Sequence, residues 1–278
     1  AFVIALLMLG IALFVTEYLS EEKIQTKRTM VSILAMVVGC FSKAVYIPFL
    51  ALYWLMPKDK FYSRRQKNLF KAGIFVLLIL MFASFILPLI GNVTSGAEVG
   101  DYRGGDTSQT SQLSMILGYP LTYTGVLLKS LGTTFASYFI GSKVLANFAY
   151  RGIYDGIGYF VVLLTMLFTF VTDFGMTEKT YDAQMKRKIL MMKIWNAVLI
   201  FGTACLVWTA LYLDFTPVGS MVINGVSPRY YLPLIFPLSL IFINQKVRCS
   251  MKLENYQSLI AFLMLIGTGI SIYCLMLA

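Results

Sequence analysis

A single lysine interrupts the apolar run VGCFSKAVYIPFL, residues 38–50, and the flanks 30–41 and 44–56 carry no other charge. A cation at the centre of a bilayer costs about 2.5–3.5 kcal/mol even on a lenient insertion scale. Lys43 must therefore snorkel to water or bind something. A second isolated cation, Arg229, stands in SPRYYLPLIFPL, where Pro228 helps set a helix start and Tyr230 and Tyr231 have the amphipathic character of interface anchors. Arginine grips an oxyanion with two parallel N–H donors and lysine adds a point charge, which is the chemistry of a lipid phosphate or pyrophosphate site. Between them lies a Gly-rich polar stretch, GNVTSGAEVGDYRGGDTSQTSQ, with Glu98, Asp101, Arg103 and Asp106. Such a loop can cover a site, and a carboxylate in it can act as a base toward a sugar hydroxyl or hold a divalent cation. No cofactor or metal ligand is assigned from these residues. The plainer readings stand beside these: a snorkelling Lys43, an anchoring Arg229 and solvated loop acids.

Other chemistry is excluded. The chain has no histidine, so a Ser–His–Asp triad, a Cys–His pair and any histidine-ligated metal cannot be built from these residues. Cys40, Cys205, Cys249 and Cys274 are far apart, without the spacing of a metal knuckle, and predict no disulfide framework. The net charge of +10 suggests nucleic acid only until the basic residues are located.

The elements that must position these residues are membrane helices. Of 278 residues, 58% are hydrophobic and 13% charged, and the mean hydropathy is +0.76. A soluble domain could not cover that much apolar surface, so the expected fold is all-α, a polytopic transmembrane bundle. Apolar runs near 1–18, 72–90, 157–173, 194–212, 230–244 and 257–277 are expected to span. The chain opens directly in a spanning stretch with no signal-peptide features, which leads us to expect the C-terminal part of a longer protein. Stretch 30–56 is too long for one upright helix, and each half, about 13 residues, reaches only ~20 Å. A short helical hairpin turning near Lys43 fits it better.

Seventeen of the 23 Lys and Arg residues fall in segments 19–29, 57–71, 174–193 and 245–256. The proposed spans put all four on one side, which the positive-inside rule makes the cytoplasm. The positive charge is then mostly a topology signal, and no nucleic-acid partner is expected. Three features face out: the turn at Lys43, the segment 91–156 and the loop 213–229. Segment 91–156 is expected to hold helices lying in the outer interface, within a single transmembrane domain over 1–278.

Three stretches in order resemble a known group. FSKAVYIPFLALYWLMPKDKF resembles the hairpin and basic loop of integral-membrane glycosyltransferases of the C superfamily. SQLSMILGYPLTYTGVLLKSL, with FIGSKVLANFAYRGIYDGIGYF, resembles the outer segment of a bacterial multi-pass family, domain-of-unknown-function family 2142. SPRYYLPLIFPLSLIF resembles that family's Gly-Arg-Tyr-Leu-Leu-Pro helix start, with Ser227-Pro228 where the family often has Gly. The resemblance implies a protein of the bacterial plasma membrane. By superfamily analogy its partners are membrane lipid, a polyprenyl-phosphate-linked sugar and a cell-envelope polysaccharide or glycoconjugate acceptor. It implies donor-phosphate contacts at Lys43 and Arg229 and a closing loop at 91–112. The superfamily's acidic base lies in the first outer loop, expected upstream of Ala1, so no catalytic residue is assigned here. Two rivals differ in kind. A non-catalytic scaffold subunit of a cell-envelope assembly machine would keep this topology without phosphate binding. A lipid or solute transporter would place polar residues through the membrane's depth, whereas spans 194–212 and 257–277 are almost free of charge.

Overall fold

The computed structural model describes residues 2–95, 106–140, 156–172, 182–242 and 250–277. Among these the chain is helical, with no strand. Of the polar loop, Glu98, Asp101 and Arg103 lie outside the described residues, and Asp106 lies within them. The chain divides into two compact units: Ala1–Gly132 with Arg187–Val226, and Thr133–Lys186 with Ser227–Ala278. Among the described residues four helices are long and apolar enough to cross a membrane, over Phe2–Leu19, Arg64–Pro88, Ala183–Phe215 and Leu253–Cys274.

The first unit is built around the expected hairpin. Helix α1 (Phe2–Leu19) packs along α2 (Thr26–Phe41), and the chain then turns at Ser42 and Lys43 into a 3₁₀ helix, Ala44–Leu55. Small residues let α1 and α2 approach closely: a Cβ added at Gly10 would stand 2.5 Å from Met36 Cγ, and one at Gly39 3.1 Å from Leu6 Cβ. Ser32 Oγ donates to the Gly10 carbonyl at 2.6 Å, and Tyr53 donates its hydroxyl proton to Ser32 Oγ. Ser32 and Tyr53 are thus paired within this core, as a water-free interior favours.

The second arm is tighter than an α-helix. Pro48 lies inside it, and a proline both lacks the N–H an α-helix needs and crowds the carbonyl four residues back. The arm is nevertheless central: Tyr46, Ile47, Phe49, Leu50, Leu52 and Tyr53 are all buried, against α1, α2 and α3 (Arg64–Ser95). Phe14 meets Tyr53 edge-on with ring centroids 5.2 Å apart. Both arms are longer than the sequence suggested. Helix α2 begins at Thr26, giving 16 residues and ~24 Å. The 3₁₀ arm has 12 residues, which at ~2.0 Å each also reach ~24 Å. The apex is therefore carried further across the bilayer's ~30 Å core than the sequence alone implied.

Two shorter helices follow α3 in the chain: α4 (Gln109–Gly118) and α5 (Pro120–Ile140). They break at Tyr119, whose φ of −132° and ψ of 60° leave the helical region that the following proline disfavours. Helix α7 (Ala183–Phe215) runs antiparallel to the 3₁₀ arm: Lys188 reaches Asp59 at 3.2 Å, and Trp195 Nε1 donates to the Ala51 carbonyl at 2.9 Å.

In the second unit α6 (Ile157–Val171) packs on α9 (Leu253–Leu277). The approach is close, since a Cβ on Gly158 would fall 2.6 Å from the Gly267 carbonyl oxygen. The span expected at 157–173 comes out slightly shorter here. Helix α6 has 15 residues, ~22 Å. The expected span 230–244 begins instead as a 3₁₀ helix, Pro228–Leu234, and continues as α8 (Ile235–Phe242). Pro233, without an N–H, falls at that change of helix type.

Candidate functional site

Lys43 occupies the N-cap of the 3₁₀ arm, with φ −150° and ψ 93°, and its side chain is exposed. Its backbone closes the turn: its N–H donates to the Cys40 carbonyl at 2.9 Å, and its carbonyl accepts from Tyr46 N at 3.3 Å. The hairpin thus holds a cation at its tip. Arg229 lies in the first turn of Pro228–Leu234, in the second unit, exposed, with its guanidinium carbon 5.8 Å from the Tyr230 ring centre. That is cation–π distance. The two tyrosines expected together as anchors part company: Tyr230 is half-buried, but Tyr231 is 2% exposed and packs on Tyr138 with centroids 5.8 Å apart. Asp106 is exposed and precedes Ser108, the N-cap of α4, whose Oγ accepts the Ser111 N–H at 3.4 Å.

The Lys43 end of the first unit carries a polar cluster that sequence reading missed. From Trp195, level with Ala51, helix α7 climbs ~21 Å to Thr209, while the 3₁₀ arm climbs ~16 Å from Ala51 to Lys43. The C-terminal end of α7 therefore lies at the same end of the unit as Lys43. There α4, α5 and the loop 216–226 meet it. Gln109 Nε2 donates to Asp214 Oδ1 at 2.6 Å, and the Tyr123 and Thr209 hydroxyls are hydrogen-bonded at 2.5 Å. Tyr212 donates to the Ser220 carbonyl at 3.2 Å, and Thr216 Oγ1 accepts the Asn224 N–H at 3.0 Å. Gly219 and Gly225 have φ of +79° and +77°, the left-handed region that glycine enters without a Cβ clash.

Gln112 is the most telling member. It is fully buried, its Oε1 accepts the Gly219 N–H at 3.2 Å, and its Nε2 has no acceptor. Flipping the amide would set two donors face to face, so the geometry fixes which atom is left over. A buried donor without a partner costs about 1–3 kcal/mol. Amides, hydroxyls and one carboxylate suit a neutral hydroxylated ligand, and the exposed ammonium at the same end suits an anion. Among the described residues no group of His, Cys, Asp and Glu could hold a metal ion. The only forewarning in the sequence was an aspartate directly after an apolar run, in ALYLDFTPVGS.

The opposite end is held by charge. Lys60 is 1% exposed, yet its ammonium donates to Ser20 O at 2.6 Å, Ser20 Oγ at 2.5 Å and Glu22 O at 3.0 Å. Desolvation pushes its pKa down, against the attraction of Glu17. Lys23 donates to the carbonyls of Asp59 and Phe61 at 2.8 and 3.2 Å, and the buried Glu17 accepts from Gln25 N at 3.0 Å and Arg28 Nη1 at 3.3 Å. Partial burial raises the Asp59 pKa, but its own backbone N–H, the Lys188 ammonium and the charge of Lys60 outweigh this and lower it.

Hydrophobic helices of spanning length, with polar groups gathered at their ends, define a multi-pass helical membrane protein. The chain belongs to the family described as Predicted membrane protein (DUF2142), whose family model matches residues 1–238. No curated protein and no solved structure matches it.

Proposed function

We propose that this protein is a membrane glycosyltransferase-like protein acting at the Lys43 end of its first unit. In this reading a sugar passes from a polyprenyl-phosphate-linked donor to a cell-envelope acceptor on the outer face. The bond from the anomeric carbon to the donor phosphate oxygen breaks, and polyprenyl phosphate or pyrophosphate leaves. A new glycosidic bond forms to an acceptor hydroxyl, whose proton passes to a base not assigned in this chain. The observation that carries the reading is the exposed Lys43 at the apex of an apolar hairpin whose 3₁₀ arm is buried, at the same end as the Gln112–Asp214 cluster. The ammonium would hold the donor phosphate, and the neutral cluster suits sugar hydroxyls. Arg229, in the other unit, is a second candidate phosphate contact and is tested separately. The localisation that accompanies the reading is the bacterial plasma membrane.

The test is polyprenyl-phosphate binding to the purified full-length protein, beside Lys43→Ala and Arg229→Ala. Lys43→Ala should weaken binding about tenfold, roughly 1.4 kcal/mol, and leave stability within about 0.5 kcal/mol because the side chain is exposed. Equal binding by Lys43→Ala and the unaltered protein would make Lys43 a snorkelling residue and put the scaffold reading first.

A further inference from the structure

A second feature lies at the basic-loop end of the first unit, on one face of α3. An open groove of about 460 Å³, lined only by apolar side chains, runs from Trp54 along α3 as far as Leu87. Trp54 stacks on Phe75 at its mouth, with centroids 6.2 Å apart and planes 24° apart. From Phe75 the stripe continues through Leu78, Phe82 and Ile86, at the three- and four-residue spacing that keeps side chains on one helix face. Phe75 to Leu87 is a rise of ~18 Å, more than half the hydrocarbon core.

Followed toward the N-terminus, the same stripe changes character. Arg64, Lys67 and Lys71 precede Phe75 at steps of three, four and four residues, which puts three cations in line with the groove. Lys71 Nζ donates to the Trp54 carbonyl at 3.0 Å and is thereby held at the groove's mouth. Arg64 is exposed and Lys67 half-buried. Asp59 is the one acid between residues 57 and 71, and Lys188 engages it. The helix start needs no anion, because Ser63 Oγ already accepts the Gln66 N–H at 3.1 Å and Gln66 Oε1 the Tyr62 N–H at 2.8 Å.

An apolar trough ending in uncompensated positive charge is the negative image of a lipid with an anionic headgroup. We propose that this face of α3 binds an anionic glycerophospholipid of the adjoining leaflet, with an acyl chain in the Trp54–Leu87 groove and its phosphate against Arg64, Lys67 and Lys71. Charge complementarity selects this occupant over a neighbouring protein helix, which would not need three cations in line with its seat. Each basic residue near an anionic surface strengthens lipid attraction several-fold.

The experiment measures lipid retained by the purified full-length protein, by mass spectrometry, after exchange into phosphatidylglycerol or phosphatidylcholine. Phosphatidylglycerol should be retained at least about tenfold more strongly. Arg64→Gln with Lys67→Gln should reduce its retention by about fivefold for each cation removed. Ala83→Trp fills the groove without touching a charge and should also release it. Lys71 is left in place because it holds the Trp54 carbonyl. Lys43→Ala should leave retention unchanged, which separates this site from the donor site proposed above. Equal retention of the two lipids, or undiminished phosphatidylglycerol in both the cation and groove variants, would overturn the proposal.

Discussion

The two ends of the first unit use polar residues in opposite ways. At the basic-loop end every buried charge is answered: Lys60 by three oxygens, Glu17 by Gln25 and Arg28, and the carbonyls of Asp59 and Phe61 by Lys23. These bonds tie the turn after α1 to the turn before α3, and Lys188 adds α7. At the Lys43 end the buried groups are neutral, and Gln112 Nε2 is left with a donor to spare, a fixed amide rather than the rotatable hydroxyl that Thr29 leaves unpartnered in the first turn of α2. Spent hydrogen-bonding capacity stabilises a fold, whereas unspent capacity is what a ligand can use. The comparison therefore assigns stability to one end and recognition to the other.

The largest expected effect lies at the spent end. Lys60→Met fits the space but removes the buried ammonium that joins Ser20 O, Ser20 Oγ and Glu22 O, and should destabilise the protein by about 1.5–3 kcal/mol. Denaturant unfolding in detergent micelles would measure this; a loss below ~1 kcal/mol would show that the buried lysine is not what holds the turns together. Gln112→Leu is the matched change at the other end. It strips the Gly219 N–H of its acceptor, but Gly219 is exposed and water can replace it. The variant also removes the unpartnered donor, so stability should change by no more than about 1 kcal/mol. Ligand binding should fall with it, and a stability loss equal to that of Lys60→Met would erase the contrast between the ends.

The smallest effect is one of pH. The folded state holds the Asp59 carboxyl below its usual range, so its carboxylate contributes stability above the ordinary pKa of about 3.9, and loses it as pH falls through the folded value. The sign for Lys60 is also that of a lowered pKa. Its protonated form is disfavoured on folding, so stability rises as pH climbs through the lowered value toward the ordinary ~10.4. Asp59 is 49% exposed at its side chain, and the solvent there screens its pairing with Lys188. A melting-temperature profile should show Asp59→Asn flatter than the unaltered protein below about pH 4. Parallel profiles would show that the Lys188 pair contributes nothing.

Much of the architecture was legible in the sequence. The run 1–18 is α1, and runs 72–90, 194–212 and 257–277 sit within α3, α7 and α9. The turn at Lys43 falls where the interrupted apolar run put it. What hydropathy misplaced was helix ends. Helix α3 begins at Arg64 and α7 at Ala183, well inside basic stretches read as loops. Hydropathy reports which solvent a residue prefers, while backbone hydrogen bonding continues past the boundary between solvents. Proline had the converse effect in 228–242, where apolarity suggested one span and the helix type changes partway. The site was less legible. Lys43 and Arg229 stood out as isolated charges, but Gln112, Tyr123, Tyr212 and Asp214 are ordinary residue types in ordinary surroundings until α4 meets α7.

By itself the sequence determined that this chain lives among lipids, that it is helical, and where its hairpin turns. Those follow from composition and period, which are properties of neighbouring residues. Only the tertiary structure decided that Lys60 would face Ser20 forty positions away, that Gln112 would receive Gly219 across 107, and that Tyr231 would be buried. Such pairings depend on how helices cross and on which face each turns inward. No local preference encodes that, because a buried polar group is stabilised by whichever partner the fold brings to it.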